Sequence, residues 1–199
     1  ALKEADYLVG FVAGLIREEL YTQAPNLKLI QLLSAGYDDA DISAARLGAV
    51  PIANNGGANA VAVSEHAILL MLAASRKLIA QHRSVAAGNW RGNQTPRVHE
   101  VRDKTLGIIG LGTIGTKTAR LGLAFGMRVI YYDIARLTEA QEDALGVRFR
   151  LLAEVLSEAD VVSLHTPLND STRHMINAET LSLMKPESIL VNTARGPVV

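Results

Sequence analysis

The stretch LGIIGLGTIGTKTARLGLAFGMRVIYYD, residues 106–133, decides the fold class of this 199-residue chain. Its first apolar run ends at three glycines spaced G-x-G-x-x-G, namely Gly110, Gly112 and Gly115, and a helical segment and a second apolar run follow. The first glycine makes a tight turn, the second lets a phosphate approach the backbone, and the third lets the helix pack closely on the strand. Because the start of a helix offers unpaired N–H groups and a partial positive charge, the stretch predicts a dinucleotide-binding turn.

An acidic residue at the end of the second apolar run indicates which dinucleotide binds. Asp133 lies 23 residues after Gly110. A carboxylate at that position can accept hydrogen bonds from the adenosine ribose and would repel a 2′-phosphate, so we expect NAD rather than NADP. Arg136 leaves NADP open, since a guanidinium could bind that phosphate. A glycine turn that only packs would show the same spacing, and so would a turn that binds FAD or S-adenosylmethionine on the same fold.

Composition excludes several classes of partner. Lys plus Arg and Asp plus Glu each number 20, and there is no cysteine. The balanced charge argues against nucleic acid, and the lack of thiols excludes disulfides and thiolate metal sites. The apolar run at 67–74 is too short to span a membrane. No signal peptide is visible and no histidine pair has zinc-ligand spacing, so we predict a cytoplasmic protein without membrane or metal.

The order of apolar runs and helical segments predicts the domain organisation. Apolar runs alternate with helices throughout, which is typical of parallel α/β structure. Strands are expected in the first half at 7–12, 27–33 and 49–53, and in the second half at 105–110, 128–132, 146–150, 160–165 and 188–192. The fold class is therefore α/β, with two Rossmann- or flavodoxin-like parallel-sheet domains joined by a long helix.

The domain limits follow from a polar stretch. Residues 88–103 resemble a linker, so we place a substrate domain at 1–97, including a long helix over 60–87, and a dinucleotide-binding domain at 98–199. The helix is apolar nearly all round at 68–72, which predicts a homodimer through it. The chain begins without Met and stops just after a strand, so we expect both domains to be incomplete.

The chain resembles the D-isomer-specific 2-hydroxyacid dehydrogenases. The resemblance covers nearly the whole chain and rests on segments in the family's order: SAGYDDAD (34–41), SEHAILLMLAASRK (64–77), GNW (88–90), GLGTIG (110–115), YYD (131–133), HTPLNDSTRHMIN (165–177) and MKPESILVNTARG (184–196). It implies hydride transfer between NAD and C2 of a small D-2-hydroxy acid or 2-keto acid. The substrate would be of the glyoxylate or hydroxypyruvate reductase type, or of the phosphoglycerate dehydrogenase type.

The resemblance also implies roles for single residues. Arg195 would be catalytic and substrate-binding, because a planar guanidinium can grip a carboxylate and polarise a carbonyl. Backbone N–H groups of Ala35 and Gly36 would hold the substrate carboxylate. The cofactor would contact residues of the glycine turn and of the loops after later strands: Gly110, Gly112, Thr113, Ile114, Gly115, Asp133, Thr166, Pro167, Thr172, Thr193 and Ala194.

One part of the family's machinery is not found here. The glutamate and the acid/base histidine of the family lie well past the arginine that matches Arg195. We therefore expect the 199 residues alone to bind NAD and an anion without useful turnover. The alternative is a non-enzymatic NAD-sensing protein on the same fold, like the C-terminal-binding-protein corepressors.

Overall fold

The computed structural model describes residues 2–90 and 97–199. The chain divides into two compact units, one ending at Asn59 and the other beginning at Ala60. Within the described ranges, no helix is both long enough and apolar enough to cross a membrane. Each unit contains a parallel sheet, which confirms the predicted α/β class.

The first unit is a small three-stranded sheet with two α-helices. Its elements in chain order are β1 (Tyr7–Gly10), α1 (Glu18–Gln23), β2 (Leu29–Leu32), α2 (Ile42–Gly48) and β3 (Ile52–Ala53), with short 3-10 turns at Leu2–Glu4 and Ala13–Leu15. The strands are parallel in the order β1-β2-β3. Ile16, Ile30 and Leu32 are fully buried and form the centre of this unit's core.

The second unit is a five-stranded parallel sheet with helices. Its elements are α3 (Ala60–Ser75), α4 (Leu78–Ala86), β4 (Thr105–Ile109), α5 (Thr113–Ala124), β5 (Arg128–Tyr132), α6 (Glu139–Leu145), β6 (Val147–Phe149), α7 (Leu152–Glu158), β7 (Val161–Leu164), α8 (Ala178–Ser182), β8 (Ile189–Asn192) and a 3-10 turn at Gly196–Val198. The order is β6-β5-β4-β7-β8, and every pairing is parallel. All five strands predicted for this half are confirmed.

Two apolar layers cover the two faces of this sheet. Strand residues such as Leu106 and Ile108 pack in one cluster with residues of α3 and α5. Ile109 and Val162 belong to a second cluster, which contains residues of α7. Because side chains alternate along a strand, these clusters lie on opposite faces, so the unit is doubly wound. Helices on both faces also explain why β4 is buried along its whole length.

The predicted single helix over 60–87 is wrong, because the segment forms two helices. The first ends at Ser75 and the second begins at Leu78. Lys77 adopts a left-handed conformation with φ of 52°, which an α-helix does not allow. The Ser75 hydroxyl donates to the carbonyl of Met71 at 2.8 Å, and such back-bonding favours a bend. Residues 75–78 include neither Gly nor Pro, so the sequence does not predict this break.

The compact units also divide at a different place from the predicted boundary at 97/98. Ala67, Ile68 and Met71 of α3 lie in the core of the second unit, so this helix packs as part of that unit. Val101, in the stretch predicted as linker, is buried in the same core. The part of that stretch at 91–96 lies outside the described residues.

A glycine inside β4 generates a stability prediction. A Cβ at Gly107 would lie 2.6 Å from Val155 Cγ1 and 2.9 Å from Ala159 Cβ. We expect Gly107→Ala to lower the free energy of unfolding by about 1–3 kcal/mol, because α7 must move away from the sheet. Urea denaturation followed by circular dichroism measures this.

The matched control is Gly14→Ala, since a Cβ at Gly14 would have no atom of the described part of the chain within 4 Å. Its effect should stay within about 0.5 kcal/mol. Equal losses in the two variants would contradict the packing of α7 on β4.

Candidate functional site

The strand order of the second unit creates a gap at the carboxyl edge of its sheet. The chain runs from β4 to β5 and β6 on one side, whereas β7 pairs with the other side of β4. The connections therefore leave β4 and β7 in opposite directions. Ligands of open α/β sheets bind at such a switch point, outside the carboxyl ends of the strands.

Two of the three glycines after β4 are required by the fold itself. Gly110 has φ of +92°, and a Cβ there would lie 2.8 Å from the carbonyl oxygen of His165 and 3.0 Å from the backbone nitrogen of Thr166. A Cβ on Gly115 would collide with the carbonyl oxygen of Gly110. Only glycine fits either position without displacing backbone, so these two residues bring the turn, α5 and the loop after β7 together.

Gly112 differs, because nothing in the fold requires it to be small. A Cβ on Gly112 would have no atom of the described residues within 4 Å. The residue precedes α5, and no side chain caps the helix from this position. The N–H groups of Thr113 and Ile114 in the first turn have no partner within the helix and carry its positive end. The open space at Gly112 therefore fits a bound anion such as a pyrophosphate.

Asp133 is fixed beside this turn by backbone hydrogen bonds. Its Oδ2 accepts from the N–H of Leu111 at 2.6 Å, and its Oδ1 accepts from the N–H of Ala135 at 2.9 Å. The carboxylate thus ties the end of β5 to the glycine turn. An ionised carboxylate retains further lone pairs, which can accept from a ribose hydroxyl.

Two buried hydroxyls at the carboxyl edge have no partner. The Oγ1 atoms of Thr166, just after β7, and Thr193, just after β8, are buried and form no hydrogen bond within the described part of the chain. A buried unpaired hydroxyl is costly, so such groups call for an explanation. A polar ligand at this edge would supply both partners.

Thr172 uses its hydroxyl within its own loop. The side chain is buried, donates to the carbonyl of Pro167 at 2.6 Å and accepts from the N–H of Asn169 at 2.9 Å. These bonds close the loop that follows β7. The geometry favours a supporting role for Thr172, and its direct contact with a cofactor stays a prediction, as does that of Pro167.

Asn192 positions the segment that carries Arg195, and sequence reasoning did not single it out. Its side chain accepts from the N–H of Ala194 at 3.0 Å and donates to the carbonyl of Arg195 at 2.9 Å. The Arg195 Nη1 donates to the carbonyl of Ala194 at 2.8 Å, and the residue is exposed. An Asn at the end of a strand often bonds the backbone two residues later, and that was the available signal.

Ala35 and Gly36 lie in the first unit, in the loop after β2. The side chain of Asn54 donates to the carbonyl of Ala35 at 2.8 Å, and the Ser34 hydroxyl donates to the carbonyl of Gly36 at 2.7 Å. Both carbonyls are therefore held by side chains, which fixes the peptide planes of the loop. Asn54 also lines a cavity of about 230 Å³ with Tyr37 and apolar neighbours.

His165 is a histidine kept neutral by its surroundings. Its Nε2 lies 2.9 Å from the hydroxyl of Ser163, and its backbone N–H donates to the carbonyl of Ile109 at 2.8 Å. Burial lowers the pKa of the imidazole to about 4. His165 therefore carries no charge at neutral pH, and its backbone is the surface against which Gly110 packs.

Fold and site together define a Rossmann-type dinucleotide-binding unit. Residues 68–199 match the model of the family "D-isomer specific 2-hydroxyacid dehydrogenase, NAD binding domain". The chain belongs to this family, and its cofactor is NAD. The open space at Gly112, the two unpaired threonine hydroxyls and the fixed carboxylate of Asp133 are a set of groups that fits a dinucleotide.

Known relatives cover the chain from end to end. It is 38% identical over 203 residues to a glyoxylate reductase of Aeropyrum pernix, covering 99% of this chain and 60% of the relative. The structure of a D-lactate dehydrogenase from Aquifex aeolicus, complexed with NAD and lactic acid, matches with a TM-score of 0.88 and 36% identity, covering 100% of this chain and 59% of that one. A glyoxylate reductase structure from Paecilomyes thermophila matches with a TM-score of 0.87 and 35% identity, over 98% and 60%. The chain thus spans about three-fifths of the length of these relatives.

The buried imidazole predicts how stability depends on pH. In the unfolded chain a histidine titrates near 6.5, whereas the folded pKa is about 4, so the unfolded state binds more protons between these values. The contribution of neutral His165 to the free energy of unfolding is fully present above pH 6.5. It is lost as the pH falls towards 4, by about 1.4 kcal/mol per pH unit. We expect His165→Asn to flatten this part of the stability profile, measured by urea denaturation at several pH values.

His82→Asn is the control, because His82 is exposed on α4. Its profile should follow that of the unchanged protein. A His165→Asn profile with the original slope would contradict the neutral, buried state of this imidazole.

Proposed function

We propose that the protein containing these 199 residues is an NAD-dependent oxidoreductase. It transfers a hydride between the cofactor and C2 of a small D-2-hydroxy acid or 2-keto acid, of the glyoxylate or hydroxypyruvate reductase type or the phosphoglycerate dehydrogenase type. NAD binding in this proposal rests on the open space at Gly112, which lies just before a helix with an uncapped first turn. The relatives, which are reductases and dehydrogenases, favour an enzyme over a NAD-sensing binding protein.

Cofactor binding is assigned to groups at the carboxyl edge of the second unit. The N–H groups of Thr113 and Ile114 bind the pyrophosphate above Gly112, and Asp133 accepts from the adenosine ribose. Thr166 and Thr193 donate their buried hydroxyls to the bound cofactor. When bound, NAD supplies the nicotinamide carbon that accepts or gives the hydride.

We assign binding of the 2-hydroxy or 2-keto acid to Arg195. Its guanidinium is charged at every working pH and can form two parallel hydrogen bonds with a carboxylate. It would also polarise the keto oxygen and stabilise negative charge on that oxygen as the hydride arrives. Asn192 holds the backbone on either side of Ala194 and thereby fixes where the Arg195 side chain starts.

Ala35 and Gly36 are proposed to bind a carboxylate through their backbone N–H groups. The Ala35 N–H shares a peptide plane with the Ser34 carbonyl, which accepts from the Asn55 N–H at 3.0 Å, and the Gly36 N–H shares one with the Ala35 carbonyl, which accepts from Asn54. Both planes are therefore fixed before any anion binds. Pre-ordered donors avoid the entropy that flexible ones lose on binding. A cytoplasmic location remains a prediction from the sequence.

Binding of NADH tests this proposal directly. We expect Gly112→Val to weaken NADH binding at least about tenfold, because the side chain fills the space that the pyrophosphate needs. Its melting temperature should stay near that of the unchanged protein, since nothing in the fold contacts that space. Nicotinamide fluorescence titration and thermal denaturation measure the two quantities.

Gly14→Val is the control, because its added side chain also enters open space but in the first unit. It should bind NADH normally. Failure of the unchanged protein to bind NADH would refute the proposal, and normal binding by Gly112→Val would refute the assignment of the turn.

We also propose a homodimer through α3. Ala67, Ile68 and Met71 of this helix are in the core of the second unit, but Val61 and Leu69 are each 54% exposed. Exposed branched apolar side chains on one helix are typical of an interface. A second copy of the chain, packed helix on helix, would cover them.

Sedimentation at micromolar concentration tests the dimer. We expect the unchanged protein to be dimeric and Leu69→Glu to be monomeric, since the charge would be buried without a partner. Leu47→Glu is the control, because Leu47 on α2 is 76% exposed and lies outside the proposed interface. A monomeric unchanged protein, or a dimer that survives Leu69→Glu, would contradict the proposal.

A further inference from the structure

The loop after β5 contains both an acid and a cation that bear on cofactor choice. Residues 133–138 begin with Asp133 and contain one basic residue, Arg136. NADP differs from NAD by a phosphate on the adenosine ribose, the group assigned above to Asp133. A guanidinium in the same loop is the natural partner for such a phosphate. Whether the loop accepts NADP therefore depends on whether Arg136 is available.

Arg136 is engaged by two neighbours. Its Nε lies 3.3 Å from Oε1 of Glu142, on α6. Its guanidinium carbon lies 4.8 Å from the centre of the Phe149 ring, on β6. An ion pair and a cation–π contact thus hold the same group against the edge of the sheet. The bond to Glu142 uses Nε, and moving the guanidinium towards a phosphate would require Arg136 to give up both contacts.

Glu142 is an anion that needs this partner. The residue is only 4% exposed. Burial raises its pKa, but hydrogen bonds from Tyr131, the Phe149 N–H and Arg136 outweigh burial, and the pKa lies below its ordinary value. Glu142 is therefore charged at neutral pH. Removing Arg136 would leave a buried carboxylate without its counter-charge, which is unfavourable.

The same network fixes the backbone of the loop. The Tyr131 hydroxyl donates to Glu142 at 3.1 Å and accepts from the N–H of Leu137 at 2.9 Å. Thr138 and Gln141 form a capping box that fixes the start of α6. The position of Glu142 relative to the loop is therefore set by several bonds, not by the ion pair alone.

We propose that Glu142 is a positioning residue that makes the protein select NAD(H) over NADP(H), by holding Arg136 away from the 2′-phosphate. This inference rests on the proposed function, because it assumes that the loop after β5 borders the adenosine ribose. Asp133 repels the phosphate directly, and Glu142 withholds the cation that would compensate. Selectivity thus depends on a buried acid that does not touch the cofactor.

Binding of NADH and NADPH to the full chain, followed by nicotinamide fluorescence, tests the proposal. The unchanged protein should bind NADH more tightly. Glu142→Gln keeps an acceptor for Tyr131 but loses the charge, and it should improve NADPH binding relative to NADH about tenfold. The double variant Glu142→Gln/Arg136→Gln should lose this gain, because the released guanidinium is its cause.

Glu158→Gln is the matched control. Glu158 also pairs with an arginine, through Oε1 at 3.2 Å from the Nε of Arg150, but on α7. The Glu158→Gln variant removes the same charge from the same unit and should leave the ratio of NADH to NADPH affinity unchanged. A shift equal to that of Glu142→Gln would mean that net charge alone is responsible, which overturns the proposal.

Arg136→Gln in the unchanged background tests the same point if Glu142→Gln does not fold. Arg136 is 62% exposed, and Tyr131 and the Phe149 N–H still donate to Glu142, so this variant should fold with some loss of stability. Its NADPH binding should not weaken relative to NADH binding. A specific loss of NADPH affinity would show that Arg136 is already available and would overturn the inference. If the unchanged protein binds neither nucleotide, the proposed function itself is refuted. If the unchanged protein binds NADH normally but Glu142→Gln leaves the NADH to NADPH affinity ratio unchanged, only the role of Glu142 is refuted.

Discussion

The close approach of Gly110 to the backbone of His165 and Thr166 is the constraint on which the rest of the site depends. At 2.8 to 3.0 Å from a virtual Cβ, the backbone of the loop after β7 leaves no room for a side chain at this turn. The approach brings the turn before α5 beside the backbone of Thr166, so that a helix N-terminus and a buried hydroxyl lie at the same edge of the sheet. A larger residue would separate them, although each strand could still form.

The three glycines of the turn separate what the fold needs from what a ligand needs. Gly110 and Gly115 are limited by backbone atoms of the protein, and a protein that bound nothing would still require them. A Cβ at Gly112 would enter open space, and packing within the described residues gives no reason for the small size of this residue. Such a position is better evidence for a ligand than the G-x-G-x-x-G spacing as a whole. The unpaired hydroxyls of Thr166 and Thr193 are independent of the spacing and indicate the same edge.

The sequence predicted the second unit well because its strands are short apolar runs between clear turn signals. The prediction of one helix over 60–87 was wrong at the break between α3 and α4. Lys77 adopts a left-handed conformation there, and the local residue types do not predict it. The sequence failed again at the unit boundary, because composition cannot reveal that Ala67, Ile68 and Met71 pack on the second sheet. The bond of Thr172 to Pro167 is likewise a tertiary geometry of the loop, so a family pattern gives its position but not its bonds.

Arg136 shows why counting charges near a cofactor site is insufficient. From the sequence, a basic residue three positions after Asp133 weakens the case for NAD. In the fold, the charge of Arg136 is balanced by a buried carboxylate, and its planar face lies over an aromatic ring. If such a cation moves to a phosphate, the free energy gained there is reduced by the free energy of breaking its existing ion pair. That loss is larger when the partner carboxylate is buried. We therefore propose that cofactor preference in this loop depends on the difference between two ion pairs, one within the protein and one with the ligand.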